Sequence, residues 1–475
     1  MRQTHARFAL PFVGTAAALL LCVVATGTSP ALAARTPNIV VIVTDDQHAG
    51  TIGWLPTIRR ELVRRGTTFT NAFAPTPTCC PSRASLFTGR YAQETRVWAN
   101  GGSIDGTPIG GWPAFAAFGN EERTVATWLT ASYRTILVGK YMNHFDEAPI
   151  GYVPAGWDRW HTFLGNNGSY YDYRLGHTDG SVTEHGSRPA DYSTDVLSDL
   201  AVRSIRRTPP KKPLLMYFTP FAPHGPSVPA RRHEGLGADL PPYDPPHVNE
   251  SDVTDKPPWI QDLGRVSTKR IAKKRQGVFE SLQAVDDGVR RIIRTLDRVG
   301  RLRDTLIVFV SDNGSSWGEH RIPVGDKFVP YDAQMRVPLV VRWDGRIAAG
   351  VRDPRLAANV DVPVTIARVA GIRPAGVDGR SLLRRRGRTG GIPLTAARSL
   401  ERDGDGISFA RPAYCGFLTR RFLYVSYATG HEELYAIRHD PYELRNRAGD
   451  RRFAEVRSRM DAKAGRACVP RPPGF

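Results

Sequence analysis

Residues Pro37–Gly50 read PNIVVIVTDDQHAG, and the apolar run inside them decides what kind of sheet this chain builds. Ile39 to Val43 are five consecutive β-branched aliphatic residues. A strand with one wet face alternates apolar and polar positions. A short run without polar interruption is covered on both faces, as in a parallel sheet held between helices. The run ends at two carboxylates, Asp45 and Asp46. Ligands of open α/β sheets bind beyond the carboxyl ends of the strands, so this acidic pair stands where chemistry is expected.

The layout recurs along the chain. YRTILVGKYMNHF holds a strand from Thr135 to Val138 followed by Lys140, and KPLLMYFTPFAPHGP is a strand running into His224. DTLIVFVSDNGSS is a strand from Leu306 to Val310 leading to Asp312 and Asn313, and VPLVVRWDG is a further apolar strand. Helical patterns lie between them. The clearest places Val278, Leu282, Val285, Val289, Ile292, Leu296 and Val299 at spacings of three and four, stopped by Gly300. Strands alternating with helices predict an α/β fold, a large doubly wound mixed sheet flanked by helices. The proline-rich segment Pro226–Val266 reads as a long surface excursion near the site. From about Arg384 the pattern changes to short strands (RFLYVSYA, EELYAIRHDPYEL) and a helix over Arg452–Gly465, a small C-terminal antiparallel-sheet subdomain. The expected organisation is a signal peptide over 1–33, a catalytic α/β domain over 34–383 and the subdomain over 384–475.

Arg2 and Arg7, the uncharged run from Phe8 to Gly27, and Ala31 and Ala33 before a cleavage point make the pattern of a secretory signal. The expected location is secreted or extracytoplasmic, with no stable membrane insertion after cleavage. Cys22 leaves with the signal. In an oxidising compartment Cys415 and Cys468 are the natural disulfide, while the neighbours Cys79 and Cys80 would close almost no loop. Lys and Arg number 65 against 46 Asp and Glu. The surplus fits a solvated cationic surface or affinity for polyanions. No segment resembles a nucleic-acid module, so nucleic acid is not an expected partner.

Taken singly, the strand-end residues have ordinary roles. An acidic pair caps a helix, Asp-Asn-Gly makes a turn, and a lone lysine or histidine is solvated. Together on one sheet edge they form an oxygen ligand set from three carboxylates and an amide, suited to Ca²⁺ or Mg²⁺ rather than zinc or copper. Arg83, Lys140, His224 and Lys327 add positive charge. A divalent ion among fixed cations suits a tetrahedral oxyanion, which predicts metal-assisted transfer of a sulfuryl or phosphoryl group.

The segment CCPSRASLFTGR, Cys79 to Arg90, matches C-x-P-S-R-x-x-x-x-T-G-R at Cys79, Pro81, Ser82, Arg83, Thr88, Gly89 and Arg90. It resembles the signature of the type I, formylglycine-dependent sulfatases, of the alkaline-phosphatase-like superfamily. NIVVIVTDDQ, FVSDNG and ELYAIRHDPYELRN resemble further segments of that family, and VGKYMNHF with PAGWDRW is most similar to N-acetylglucosamine-6-sulfatases and bacterial arylsulfatases. The resemblance implies that Cys79 is converted to Cα-formylglycine by a formylglycine-generating enzyme that reads Pro81, Ser82 and Arg83, with Cys80 at an unspecified position. Of the aldehyde hydrate's two hydroxyls, one attacks sulfur and the other expels sulfate. It also implies metal ligands Asp45, Asp46, Asp312 and Asn313 completed by the converted Cys79. Lys140 and Lys327 would grip sulfate, Arg83 would hold the hydrate, and His224 would contact sulfate or protonate the leaving oxygen. Many members read lysine, any residue, histidine. Here Lys140 is followed by Tyr141, Met142, Asn143 and His144, which leaves Asn143 or His144 to replace the missing histidine. His320 is a candidate for the pocket wall.

The activity so implied is hydrolysis of sulfate monoesters, either aryl sulfate or a sulfated glycan such as an N-acetylglucosamine-6-sulfate. The rivals are a phosphonate monoester or phosphodiester hydrolase on the same site, and an inactive polyanion-binding homologue.

Overall fold

The computed structural model describes residues 1, 3, 5–11, 36–165, 168–384, 388, 390–398 and 411–475. Most of the signal-peptide reading over 1–33, including all of 12–33, falls outside the described residues, as does much of the basic stretch 384–390. The chain divides into two units, Met1–Arg35 and Thr36–Phe475, and every strand among the described residues lies in the second.

The strands, in chain order, are β1 Asn38–Thr44, β2 Thr67–Phe73, a two-residue hairpin of β3 Ser103–Ile104 and β4 Thr107–Pro108, then β5 Arg134–Gly139 and β6 Arg159–Leu164. Next come β7 Tyr173–His177, β8 Val182–His185, β9 Leu214–Thr219, β10 Thr305–Ser311, β11 Leu339–Arg342 and β12 Val351–Ala358. Ten of these form one mixed sheet in the order β12-β2-β11-β10-β1-β9-β5-β6-β7-β8. Its centre, β10-β1-β9-β5-β6, is parallel throughout. Both flanks carry antiparallel pairs.

β1 is buried at all seven positions, as its apolar run requires, and pairs with β10 from Asn38–Thr305 to Thr44–Ser311. The two faces of the sheet bury separate cores. Ile39, Val41 and Val43 of β1 join Leu137, Tyr217 and Val308 on one face, and Val40 and Ile42 join Val138, Phe218 and Phe309 on the other. The helix expected before Gly300 spans Thr268–Arg298, and its apolar stripe closes the second core beside the Ser193–Arg207 helix. β11 differs from the parallel centre: it runs antiparallel between β10 and β2.

From Ile392 a separate four-stranded antiparallel sheet is built, β13 Ile392–Ala396, β14 Tyr414–Leu418, β15 Leu423–Tyr427 and β16 Glu432–Tyr435. The helix Ala454–Ala467 covers it through Met460 and Ala464, and a Cys415–Cys468 disulfide ties the helix end to β14. Cys79 and Cys80 are buried thiols outside any disulfide.

Candidate active site

The four strand ends read from the sequence belong to four adjacent parallel strands, β10, β1, β9 and β5. Their carboxyl edges deliver Asp312 and Asn313, Asp45 and Asp46, His224, and Lys140 to one place. Neighbouring residues on an extended strand point to opposite faces. Asp46 escapes that rule because its φ is +60°, a left-handed conformation that Asp tolerates better than most side chains. Both carboxylates therefore face the same sulfur: Cys79 Sγ lies 3.5 Å from Asp45 Oδ1 and 3.8 Å from Asp46 Oδ1.

Cys79 opens the Cys79–Thr88 helix, immediately after the extended residue Thr78. The start of a helix gathers unpaired N–H groups and positive potential, a favourable setting for an anion. Lys327 Nζ completes the surround, 2.9 Å from Cys79 Sγ and 2.7 and 2.9 Å from the two Asp46 oxygens. Lys140 Nζ forms an ion pair with Asp45 Oδ2 at 2.5 Å, without the geometry of a hydrogen bond. Arg83 is wholly buried and binds three groups at once. Its Nε donates to Asp312 Oδ2 at 2.9 Å, Nη1 to the Lys140 carbonyl at 2.8 Å, and Nη2 to Asp45 Oδ2 at 3.3 Å. Arg83 thus braces the carboxylates from behind.

Three carboxylates face three permanent cations, Arg83, Lys140 and Lys327. The Asp45 carboxyl is pushed up by burial, but Lys140 and Arg83 outweigh this and hold it below the ordinary range. Burial also drives the Cys79 thiol well above its usual value, helped by Asp45, so the sulfur stays protonated. Burial raises Asp312 to about 6, reinforced by Asp45. Asp312 Oδ1 accepts the backbone N–H groups of Asp46 and Asn313. Asn313 Nδ2 donates to Asp46 Oδ1 at 2.7 Å, while its Oδ1 is buried with no donor. Asp45, Asp46, Cys79 and His224 offer ligand atoms within 4.8 Å of one another.

His224 is partly exposed at the mouth, with Nε2 3.5 Å from Asp46 Oδ2. Its Nδ1 lies 2.7 Å from the Gly225 carbonyl, which can only accept, so Nδ1 carries the proton and Nε2 faces the site. Burial lowers its pKa to about 4, against the pull of Asp46.

The two candidates for the missing histidine part ways. His144 takes a left-handed turn and points outward, its Nδ1 3.1 Å from Glu147 and the side chain about half exposed. Asn143 stays buried beside the cysteines: its N–H donates to Cys80 Sγ at 3.2 Å, and its Oδ1 has no donor. His320 does not line the pocket. It is fully buried, with Nδ1 2.6 Å from Glu250 Oε2 and Nε2 3.9 Å from Glu443.

Several supporting residues, unlike Ser82 of the signature, carry no local sequence signal. Asn100 Oδ1 accepts the Cys80 N–H at 3.0 Å, and Ser82 donates to the Asp312 carbonyl while accepting from Asn359 Nδ2 at 2.6 Å. Asp326, beside Lys327, is held by both Nε and Nη2 of the buried Arg411. Only contacts across long sequence separations reveal them.

The chain is similar to known proteins in family and in fold. A family model described as Sulfatase matches residues 37–372. A putative extracellular sulfatase Sulf-1 homolog of Caenorhabditis elegans is 30% identical over 359 residues, 73% of this chain and 48% of that protein. The extracellular sulfatase SULF-1 homolog of Drosophila melanogaster is 33% identical over 364 residues, 74% of this chain and 31% of that one. The N-acetylglucosamine-6-sulfatase of Homo sapiens is 30% identical over 365 residues, 74% and 64% respectively. The chain thus spans half or less of the first two relatives. Among solved structures, a protein in complex with its substrate D-glucosamine-2-N,6-O-disulfate superposes with a TM-score of 0.77 at 21% identity, covering 91% of this chain and 98% of that one. The phosphonate monoester hydrolase of Agrobacterium radiobacter gives 0.69 at 19%, covering 90% and 94%. At these identities the structures show a shared fold.

Proposed function

The chain belongs to the sulfatase family, and from that premise we propose that it hydrolyses sulfate monoesters, with position 79 carrying the nucleophile. The observation that supports this most is the setting of Cys79. It starts a helix, lies within hydrogen-bond reach of Lys327, and faces Asp45 and Asp46. A buried, protonated thiol is a poor nucleophile there. Conversion to formylglycine, which the signature implies, would supply a hydrate oxygen for attack and a second hydroxyl for release.

The donor set fits a hard divalent cation, because Asn313 Oδ1 is buried without a donor among three carboxylates. Asp45, Asp46, Asp312 and Asn313 would hold Ca²⁺ or Mg²⁺, which would supply positive charge to a sulfate oxygen and to the attacking group. Lys327, beside the sulfur, and Lys140, paired with Asp45, would bind the remaining sulfate oxygens. Arg83 keeps Asp45 and Asp312 apart and oriented. His224, with Nε2 turned inward, would meet the ester oxygen and pass a proton to the departing alcohol. Asn143, rather than His144, would face the nucleophile.

A sulfated sugar is the proposed substrate class, supported by relatives named N-acetylglucosamine-6-sulfatase and by the fold neighbour bound to a sulfated glucosamine. Aryl sulfate needs no more than the core site. Extracellular relatives and the Cys415–Cys468 disulfide support an extracytoplasmic location. No helix among the described residues is long and apolar enough to cross a membrane.

The mass of the tryptic peptide containing Cys79, taken from natively produced protein, tests the nucleophile. Conversion of the thiol to an aldehyde is expected, and unmodified cysteine in active protein would overturn the mechanism. Sulfate monoesters and phosphodiesters both carry a single negative charge, so charge alone does not separate them. Turnover of an aryl sulfate against an aryl phosphodiester decides, and a strong preference for the diester would refute the sulfatase reading.

A further inference from the structure

The Ser193–Arg207 and Thr268–Arg298 helices pack side by side, and a cleft of about 370 Å³ opens between their C-terminal halves. Arg203 and Arg206 line it from one helix, and Arg291, Arg294 and Arg298 from the other, with Asp199 the acid in its lining. Each set is spaced by three or four residues, so each forms one stripe along its helix. Asp199 pairs with Arg291. Among the described residues, Arg203, Arg206, Arg294 and Arg298 have no carboxylate partner within ion-pair distance. All four are exposed.

Two ordinary explanations fall short. Cations in the last turn of a helix answer its macrodipole, which accounts for Arg206 and Arg298 but not for Arg203 and Arg294 one turn earlier. A salt-bridged surface would pair its charges, as neighbouring arginines do: Arg60 meets Glu61, Arg65 meets Asp344 and Arg290 meets Asp287. Four unpaired guanidinium groups around a concavity repel one another, and an anion with several charges relieves that repulsion.

We infer that this cleft is a second binding site, for a sulfated polysaccharide chain, separate from the catalytic centre. The Thr268–Arg298 helix runs back to the start of β10, so the cleft lies at the amino edge of the parallel strands. Asp312 comes after the far end of β10, about 23 Å away along its seven residues. A polymer held here is anchored without occupying the active site. The choice of a sulfated polymer among polyanions rests on the sulfatase reading, while the cleft's affinity for multiple anionic charges does not.

The test uses heparin as the sulfated probe and the full-length protein. Changing Arg203, Arg206, Arg294 and Arg298 together to Gln is expected to weaken heparin binding by roughly tenfold or more at fixed salt, with a shallower salt dependence. Turnover of a small aryl sulfate should stay within about twofold. The matching quadruple Lys variant, which keeps the charge, should retain most of the affinity. Wild-type affinity in the Gln variant would overturn the proposal. So would tighter binding of the wild type to duplex DNA or to phosphatidylserine vesicles than to heparin. Heparin binding through these arginines in a protein that cleaves no sulfate ester would leave the cleft standing and remove the catalytic reading instead.

Discussion

Cys79 and Cys80 are consecutive, yet their side chains meet different surroundings. Cys79 Sγ faces Lys327 and the two aspartates, whereas Cys80 is fully buried in the apolar core and accepts the Asn143 N–H. Cys79→Ala removes the proposed site of the nucleophile and is expected to abolish turnover, by about 10⁴-fold or more where covalent catalysis is lost. Cys80→Ser keeps an acceptor of similar size for Asn143 and should retain activity within about tenfold. Aryl sulfate kinetics on both variants, with circular dichroism to confirm folding, checks the pair, and equal losses would defeat the assignment. His320 carries a second residue-scale prediction. Burial opposes its charge, but Glu250 and Glu443 outweigh burial and raise its pKa to about 9. A histidine raised in the folded state stabilises fully below its unfolded value near 6.5 and loses that contribution as pH climbs through 9. Up to about 3 kcal/mol is therefore expected to disappear between pH 6.5 and 9. Thermal melts across that window should show the slope in the wild type and lack it in His320→Gln.

At the scale of elements, the loop that carries Lys327 is fixed by the C-terminal region. Arg411, just before β14, grips Asp326 with two nitrogens, and both side chains are buried. Removing one member of a buried pair leaves an uncompensated charge and costs about 3–5 kcal/mol. Arg411→Ala should therefore lower the melting temperature and, by the proposed mechanism, also weaken sulfate binding, because the loop that carries Lys327 loses a two-nitrogen anchor at Asp326. A raised KM for aryl sulfate alongside the stability loss is the expected signature, and a stability loss with unchanged kinetics would reduce the pair to scaffolding. This clamp also shows where sequence reading ends. β1, β5, β9 and β10 are legible because strands covered on both faces are written as unbroken apolar runs, and each run leads to its candidate site residue. Arg411 and Asp326 are 85 positions apart, and Asn100, Asn359 and Arg411 sit in loops with no period to reveal a partner. Whether Asn143 or His144 faces inward turns on the backbone at His144, which the sequence does not display.

The whole molecule carries a formal net charge of +19, and its candidate active site and arginine cleft stand at opposite edges of one sheet. The α/β architecture with a separate antiparallel sheet is readable from the change of pattern near residue 384, but the alignment of these two poles emerges only in three dimensions. A strongly cationic surface raises the encounter rate with anions by about 10- to 10³-fold at low salt, more for a polymer than for a single charge. Screening shortens the range of that attraction from about 10 Å at 0.1 M salt to about 3 Å at 1 M. The specificity constant for a sulfated polysaccharide should therefore fall about tenfold or more between 0.05 and 0.5 M sodium chloride. For a monoanionic aryl sulfate, which by the proposed mechanism would meet only the desolvated core at Lys140 and Lys327, the fall should stay below about threefold. Desulfation rates for the two substrates at matched salt series measure the difference. Parallel salt curves would mean that the surface charge contributes nothing to polymer capture, and that the positive balance serves solubility alone.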